Sequence, residues 1–140
     1  MSISRWIWLL GACAVLIVLL VLKNFWQQHT TPALPDPAAF RDIHVEILNG
    51  CGKDGIARQI GTQLRALGFD VMTVDNAETF HYPETLVIDR VGNPEYARLV
   101  AQILGTPNHI QQMTPDPFRI EEVTVIIGRD YQRLGLLAAR

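Results

Sequence analysis

Apolar and polar residues alternate along several short segments in the carboxyl-terminal part of the chain. In residues 43–47 every second residue is apolar, which is the period-two pattern of a strand with one buried face. Similar apolar runs predict strands at 69–75, 85–91 and 123–127, and a weaker strand at 109–113. These segments predict the strands of one small sheet.

Two intervening segments have apolar residues at helical spacing. The first helix is predicted to begin near Gly55 and to end at Gly68. Its apolar stripe comprises Ile56, Ile60, Leu64 and Leu67. The second helix is predicted to begin at Asn93 and Pro94, residue types that favour the N-cap and the first turn, and to end at Gly105. The resulting order, βαββαβ, indicates a small α/β sandwich.

The loop between the first strand and the first helix contains the pattern GxGxxG. Its glycines are Gly50, Gly52 and Gly55, and Asp75 follows them by about twenty positions. In a dinucleotide-binding fold such glycines let the backbone approach a pyrophosphate, and the later carboxylate binds a ribose. The motif alone therefore predicts a nucleotide site.

The next connection in the chain argues against a dinucleotide fold. Residues 76–84, between the second and third strands, are too few for the crossover of roughly a dozen residues that parallel neighbours need. The domain is also too short to hold both halves of such a fold. A regulatory domain that binds a nucleotide or an anion remains the alternative interpretation.

Two other interpretations of the glycine loop, residues 49–55, stay open. In the first, the glycines permit a sharp turn, and Gly55 lets the helix pack close to the sheet. In the second, free backbone amides at the start of the helix, aided by Lys53, bind an anionic group such as a phosphate or a carboxylate. The candidate ligand-binding residues of the loop are Asn49, Gly50, Gly52, Lys53 and Gly55.

The amino-terminal part of the chain is predicted to anchor the domain in a membrane. Residues 6–22 carry no charge and lie between Arg5 and Lys23, which favours one transmembrane helix over a buried core helix. Residues 1–5 form its flank, and residues 23–42, with three prolines, form an extended tether. The position of Arg5 favours an amino terminus in the cytoplasm and a domain outside it.

Composition narrows the possible functions. With 140 residues, 49% of them hydrophobic, and a formal net charge of −2, the chain has room for one small domain plus its anchor. It lacks the basic stripe of a protein that binds nucleic acid. Its cysteines, Cys13 and Cys51, fall in the membrane segment and in the glycine loop, so they cannot pair within one chain. No cluster of cysteine and histidine has metal-ligand spacing, and no cofactor is predicted.

Few residues have the arrangement that catalysis requires. Cys51 lies beside Lys53 at a helix start, which favours a reactive thiolate, but no base is paired with it in the sequence. Asp130 and Tyr131, after the last strand, are further candidates for ligand binding, although a turn-stabilising carboxylate and a half-buried ring explain them equally well. The tail, residues 132–140, either packs on the domain or binds a partner. We predict no catalytic residues.

Three segments of the chain resemble the C-terminal domain of LytR/CpsA/Psr cell-envelope proteins. The resemblance covers most of residues 43–131. Its most specific parts are Leu48-Asn49-Gly50 with Gly52 and Gly55, Asn76-Ala77 with Tyr82, and the closing Gly128-x-Asp130-Tyr131.

The resemblance implies a location and a context. In that family a separate, larger domain is the phosphotransferase that attaches anionic glycopolymers to peptidoglycan, and this chain has no room for it. We therefore expect a non-catalytic accessory domain that is held at the bacterial cytoplasmic membrane by a single pass and faces the envelope. It would bind or scaffold a cell-wall glycopolymer or an envelope protein.

Overall fold

A computed structural model describes residues 16–21, 40–113 and 115–138. The chain divides into two units, Met1–Leu34 and Pro35–Arg140. In the first unit, residues 16–21 are helical, and the remainder of the predicted membrane segment lies outside the described residues. No helix among the described residues combines the length and the apolar character that a membrane crossing requires.

The second unit contains the predicted strands and helices. Its strands are β1 (His44–Asn49), β2 (Asp70–Asn76), β3 (Leu86–Asp89), β4 (His109–Gln111) and β5 (Val123–Ile127). Its helices are α1 (Ile56–Ala66), α2 (Pro94–Leu104) and the short α3 (Gly135–Ala138), and a 3₁₀ turn spans Tyr131–Arg133. The weak strand predicted near His109 is present, and the predicted α/β class is confirmed.

The strands form one mixed sheet in the order β2-β1-β5-β3-β4. β1 is parallel to both of its neighbours, whereas β3 is antiparallel to β5 and parallel to β4. β2 and β3 are therefore not neighbours, which confirms that residues 76–84 are no crossover between adjacent parallel strands. The last strand in the chain, β5, occupies the centre of the sheet.

Both long helices lie on the same face of the sheet. Apolar residues of β1, β3 and β5 form one buried cluster with the inner sides of α1 and α2. The stripe predicted for α1 supplies its share of this cluster through Ile56, Ile60 and Leu64. Leu134 is also buried there, so the tail packs on the domain at least to that residue.

The opposite face of the sheet, here called the open face, has no helical residue in its smaller apolar cluster. The open face also carries a polar cluster of four side chains, which are those of Glu46, Arg90, Arg119 and Thr124. Arg119 Nη1 donates to Glu46 Oε2 at 3.1 Å, and Thr124 Oγ1 donates to the same oxygen at 2.8 Å. Arg90 Nε donates to Thr124 Oγ1 at 3.0 Å. Burial lowers the pKa of Arg90 from its ordinary value, and the neighbouring Arg119 guanidinium lowers it further, while Glu46 opposes both effects.

The strand directions give the domain two distinct ends. At one end, the tether end, lie the starts of β1, β2 and β5, and there Phe40 joins the chain to the domain. Although the sequence assigns Phe40 to the tether, it is buried and stacks on Phe69 with 4.6 Å between ring centroids. At the other end, about 20 Å away by the length of β1, lies the glycine loop.

Candidate functional site

Asn49, the last residue of β1, holds the glycine loop in place. Its Oδ1 accepts hydrogen bonds from the backbone N–H of Cys51 at 3.2 Å and of Gly52 at 3.0 Å, and its Nδ2 donates to Lys53 O at 3.1 Å. The side chain is buried, so it contributes to the loop's shape from inside. Two of the amides that the sequence offers to an anion are therefore engaged by Asn49 itself.

Gly50, the first glycine of the motif, permits a close approach between protein segments. A Cβ at this position would lie 2.7 Å from side-chain atoms of Ile126 and Tyr82, and 2.9 Å from Ile127 O. Its own N–H donates to Ile127 O at 2.9 Å, and its carbonyl accepts from Tyr82 N–H at 3.1 Å. In a dinucleotide fold the backbone approaches the pyrophosphate at the second glycine, whereas here Phe80 lies 3.3 Å from a Cβ added to Gly52.

The other two motif glycines have a conformational role. Gly52 and Gly55 have φ of +76° and +75°, a region that residues with a Cβ rarely adopt. The expectation that Gly55 lets the helix pack close to the sheet is wrong, because no atom lies within 4 Å of a Cβ built there. The close contact is at Gly61, whose added Cβ would meet Val74 at 3.3 Å.

The turn that leads into α1 retains free hydrogen-bond donors. In the part of the chain that the structure describes, no hydrogen bond uses the backbone N–H of Lys53, Asp54 or Gly55. The α1 N-cap, Gly55, has no side chain to cap the helix. These three amides and the exposed Lys53 side chain leave the start of α1 electropositive.

A cleft of about 620 Å³ lies where α1 faces the end of β2. Its walls are mostly polar and carry two guanidinium groups and one carboxylate. The lining residues are Asn49, Gly55, Ala57, Arg58, Thr62, Arg65, Val74, Asp75 and Asn76. The cleft thus includes the carboxyl ends of β1 and of the edge strand β2, and it extends along α1 to Arg65.

Only part of this cleft was foreseen in the sequence. Asn49 and Gly55 belong to the predicted loop, and Asp75 is the acidic residue of the nucleotide interpretation. Arg58 and Arg65 were missed because they occupy the polar side of an amphipathic helix, where charged residues are usual. Their spacing of seven residues, which places them on one side of α1, was the available signal.

Lys53 and Tyr131 meet at a second, smaller cavity. It has a volume of about 280 Å³, and Asp54, Gln59 and Leu137 also line it. The structure therefore brings one candidate from the glycine loop to one candidate from the end of β5. Tyr131 is half-buried against the main core.

Asp130 lies at the opposite side of the loop from the cleft and binds the start of β3. Its Oδ1 accepts hydrogen bonds from Thr85 N–H and Thr85 Oγ1, both at 2.8 Å. Thr85 Oγ1 in turn accepts from Gly128 N–H at 3.1 Å. This geometry favours the turn-stabilising interpretation of Asp130, because one oxygen joins two separate segments.

Replacing Asp130 with alanine is expected to lower the free energy of unfolding by about 2 kcal/mol, since two hydrogen bonds to a charged acceptor are lost. Asp130→Asn keeps an acceptor oxygen, so we expect it to recover at least half of the loss. Urea denaturation of both variants measures the difference. An alanine variant as stable as the parent would show that Asp130 does not hold β3.

Cys51 has no catalytic surroundings in the described residues. Its Sγ lies 3.4 Å from Asn49 Oδ1, and no histidine or carboxylate is hydrogen-bonded to it. His44, the histidine of β1, lies at the tether end. Within residues 16–21, 40–113 and 115–138, no three histidine, cysteine or carboxylate side chains are grouped as metal ligands.

Comparison with known proteins identifies a family for this domain. The family model described as LytR cell envelope-related transcriptional attenuator matches residues 42–131. No curated protein is significantly similar to the chain. The crystal structure of the soluble domain of a conserved hypothetical secreted protein from Mycobacterium marinum is similar, with 16% identity, a TM-score of 0.48 and coverage of 73% of this chain and 74% of that chain.

Proposed function

We propose that this chain, which belongs to the LytR C-terminal domain family, is a membrane-anchored accessory protein that binds an anionic glycopolymer of the bacterial envelope in its cleft. The proposal assigns binding to the domain and no catalysis. It has two parts, the anchor and the ligand, and different observations support each part.

The anchor rests on the amino-terminal sequence. Residues 6–22 are uncharged and long enough to cross the hydrocarbon layer as a helix, and basic residues bound them on both sides. The cell-envelope context of the family agrees with a domain outside the cytoplasmic membrane. Residence of the full chain in membranes after alkaline carbonate extraction tests this part alone.

The ligand rests on the chemistry of the cleft walls. Arg58 and Arg65 provide planar donors for phosphate or carboxylate groups, and Asp75 and Thr62 provide partners for sugar hydroxyls. Arg65 Nη2 already donates to Val71 O at 2.7 Å, so Arg58 is the guanidinium with more freedom. The free amides at the start of α1 add to the attraction for an anion.

The nucleotide alternative has support from one observation, which is that Asp75 and Gly55 line the same cleft. Two other features weigh against a dinucleotide. Phe80 lies beside Gly52, where a pyrophosphate would approach the loop. Both long helices also cover one face of the sheet, so no crevice between oppositely placed helices exists in the described residues. An anionic polymer that lies along the cleft fits these walls better.

The substitution Arg58→Glu is expected to weaken polymer binding about tenfold, which corresponds to roughly 1.4 kcal/mol. Reversing this charge removes donors and repels the polymer's anionic groups. Titration of the full chain, in detergent, with cell-wall polymer rich in phosphate or in carboxylate measures the affinity. Binding should also weaken with added salt.

Arg98→Glu is the matched control. Arg98 is an exposed arginine on α2, away from the cleft, and it pairs only with the exposed Glu95 among the described side chains. We expect its affinity to equal that of the parent. Equal losses in both variants would mean that net charge alone drives binding, and no loss in either would remove the cleft from the proposal. NAD binding abolished by Asp75→Ala would favour the nucleotide alternative.

A further inference from the structure

The tether end of the domain carries a loop with both of its ends fixed. The loop, residues 112–122, begins with Gln112 N–H donating to Asp89 O and ends with Glu122 O accepting from Arg90 N–H, both at 2.9 Å. Asp89, the last residue of β3, and the next residue, Arg90, therefore hold the two ends of the loop close together. We call it the tether-end loop.

In the tether-end loop a charged side chain is directed inward, and apolar side chains are exposed to solvent. Arg119 points inward, where its side chain is 24% exposed and bound to Glu46. Its neighbours Phe118 and Ile120 point outward and are 88% and 57% exposed. A protein normally buries the phenyl ring and leaves the guanidinium in water, so this arrangement maintains an apolar outer side.

Two more exposed apolar side chains extend this outer side. Met113 is 62% exposed and Val91 is 51% exposed. Met113 Sδ would lie 3.0 Å from a Cβ added to Gly92, which places it against the 91–92 turn. Val91, Met113, Phe118 and Ile120 are thus four exposed apolar side chains at the tether end, and apolar exposure of this kind is typical of contact sites.

The course of the chain indicates what this region contacts. Phe40, where the tether joins the domain, lies at the same end of the sheet, because it precedes β1 and the tether-end loop precedes β5, parallel to β1. The tether leads back to the apolar residues 6–22. A surface held near a bilayer by a tether meets lipid at high effective concentration, so a few apolar side chains suffice for contact.

We propose that the tether-end loop inserts Phe118 and Ile120, supported by Met113 and Val91, into the interfacial layer of the membrane in which the chain is anchored. The proposal rests on the anchor of the proposed function. The cleft lies at the opposite end of β1 from this loop, so the proposed contact leaves the cleft free. Asp116, Glu121 and Glu122 make the loop acidic, so its contact depends on apolar burial and not on attraction to anionic lipids.

The test uses the full chain reconstituted in phosphatidylcholine vesicles. After replacement of Cys13 and Cys51 by alanine, an environment-sensitive fluorophore is attached at Pro117→Cys, which leaves Phe118 and Ile120 in place. A second preparation carries the fluorophore at Glu78→Cys, an exposed position beyond the end of β2 and far from the tether end. Nitroxide-labelled lipid then quenches any fluorophore within the interfacial layer.

We expect lipid nitroxide to quench the probe at position 117 at least threefold more than the probe at position 78. Adding Phe118→Ser and Ile120→Ser, two exposed positions where polar residues leave the core intact, should lower the quenching at 117 to that of the control. Circular dichroism verifies that this variant folds.

Other outcomes would overturn the proposal. Equal quenching at both positions in vesicle-bound protein would show that the domain does not dock, while the anchor itself stands. A shielded probe that lipid does not quench, and that becomes exposed when added lipid lowers the density of the chain in the vesicles, would assign the loop to contact between two copies. Failure of the chain to float with the vesicles would instead refute the anchor.

Discussion

Gly128→Ala is expected to destabilise the domain by at least about 3 kcal/mol, the upper part of the range for overpacking. A Cβ at this position would lie 2.2 Å from the carbonyl carbon of Glu84 and 2.5 Å from its oxygen. These are backbone atoms that no rotamer change can move. Relief requires separating the end of β5 from the start of β3, which also breaks the hydrogen bond between Gly128 N–H and Thr85 Oγ1.

Urea denaturation of the fragment Pro35–Arg140, which is one compact unit, measures this effect. Gly135→Ala is the control, because its added Cβ would have no heavy atom closer than 3.9 Å. We expect the control to stay within about 0.5 kcal/mol of the parent. If the urea midpoint of Gly128→Ala equalled that of the parent, the close contact between Gly128 and Glu84 would be contradicted.

Glu46→Ala should lower the free energy of unfolding by about 3 kcal/mol, because it leaves a largely buried guanidinium without its counter-charge. Glu46 and Arg119 have side chains only 14% and 24% exposed. The loss also removes the acceptor of Thr124 Oγ1 and leaves Arg90 facing Arg119 with no carboxylate between them. The open face then has two neighbouring cations at its centre.

The matched comparison is Glu95→Ala, which removes one partner of the exposed pair with Arg98. We expect it to change stability by less than about 0.5 kcal/mol. The double variant Glu46→Ala with Arg119→Ala should be more stable than Glu46→Ala alone, since the Arg119 guanidinium no longer lies unpaired beside Arg90. Independent, additive losses would show that the two side chains do not interact in solution.

The individual elements were predictable because each has a local signal. α1 was expected between Gly55 and Gly68 and spans Ile56–Ala66, since an apolar stripe and two glycines define it. β1 runs further than its alternation suggests, to Asn49, because that residue still pairs with Asn76 and Ile127. Pairing with distant strands therefore determines where β1 ends, and the local sequence pattern does not show this end.

The arrangement of the elements depended on contacts that no local pattern contains. Glu46 was expected on a polar side of β1, and it is, but its partner Arg119 follows 73 residues later. Likewise, the sequence predicted close packing of the helix at Gly55 and did not distinguish Gly61. Coordinates were needed to show that a positive φ requires the first and close packing requires the second.

The glycine loop of the candidate site could be predicted from the sequence, whereas the cleft could not. The glycine motif correctly indicated a loop of special backbone conformation at the end of β1, because φ above zero and tight approach both demand glycine. The motif could not show that Asn49 would accept hydrogen bonds from amides of the loop. Nor could it show that Tyr82 would pack against Gly50 and donate to its carbonyl. The cleft beside it became visible only when α1 and β2 were placed together.

The central position of β5 also governs when this domain can fold. β1 pairs with β2 nearby in the chain, but its other neighbour, β5, follows 78 residues later, since Glu46 pairs with Thr124. Contacts of such sequence separation slow folding, and they form only after the ribosome or the translocation channel has released nearly the whole domain. A nascent chain that lacks β5 has two separate strand pairs and no continuous sheet.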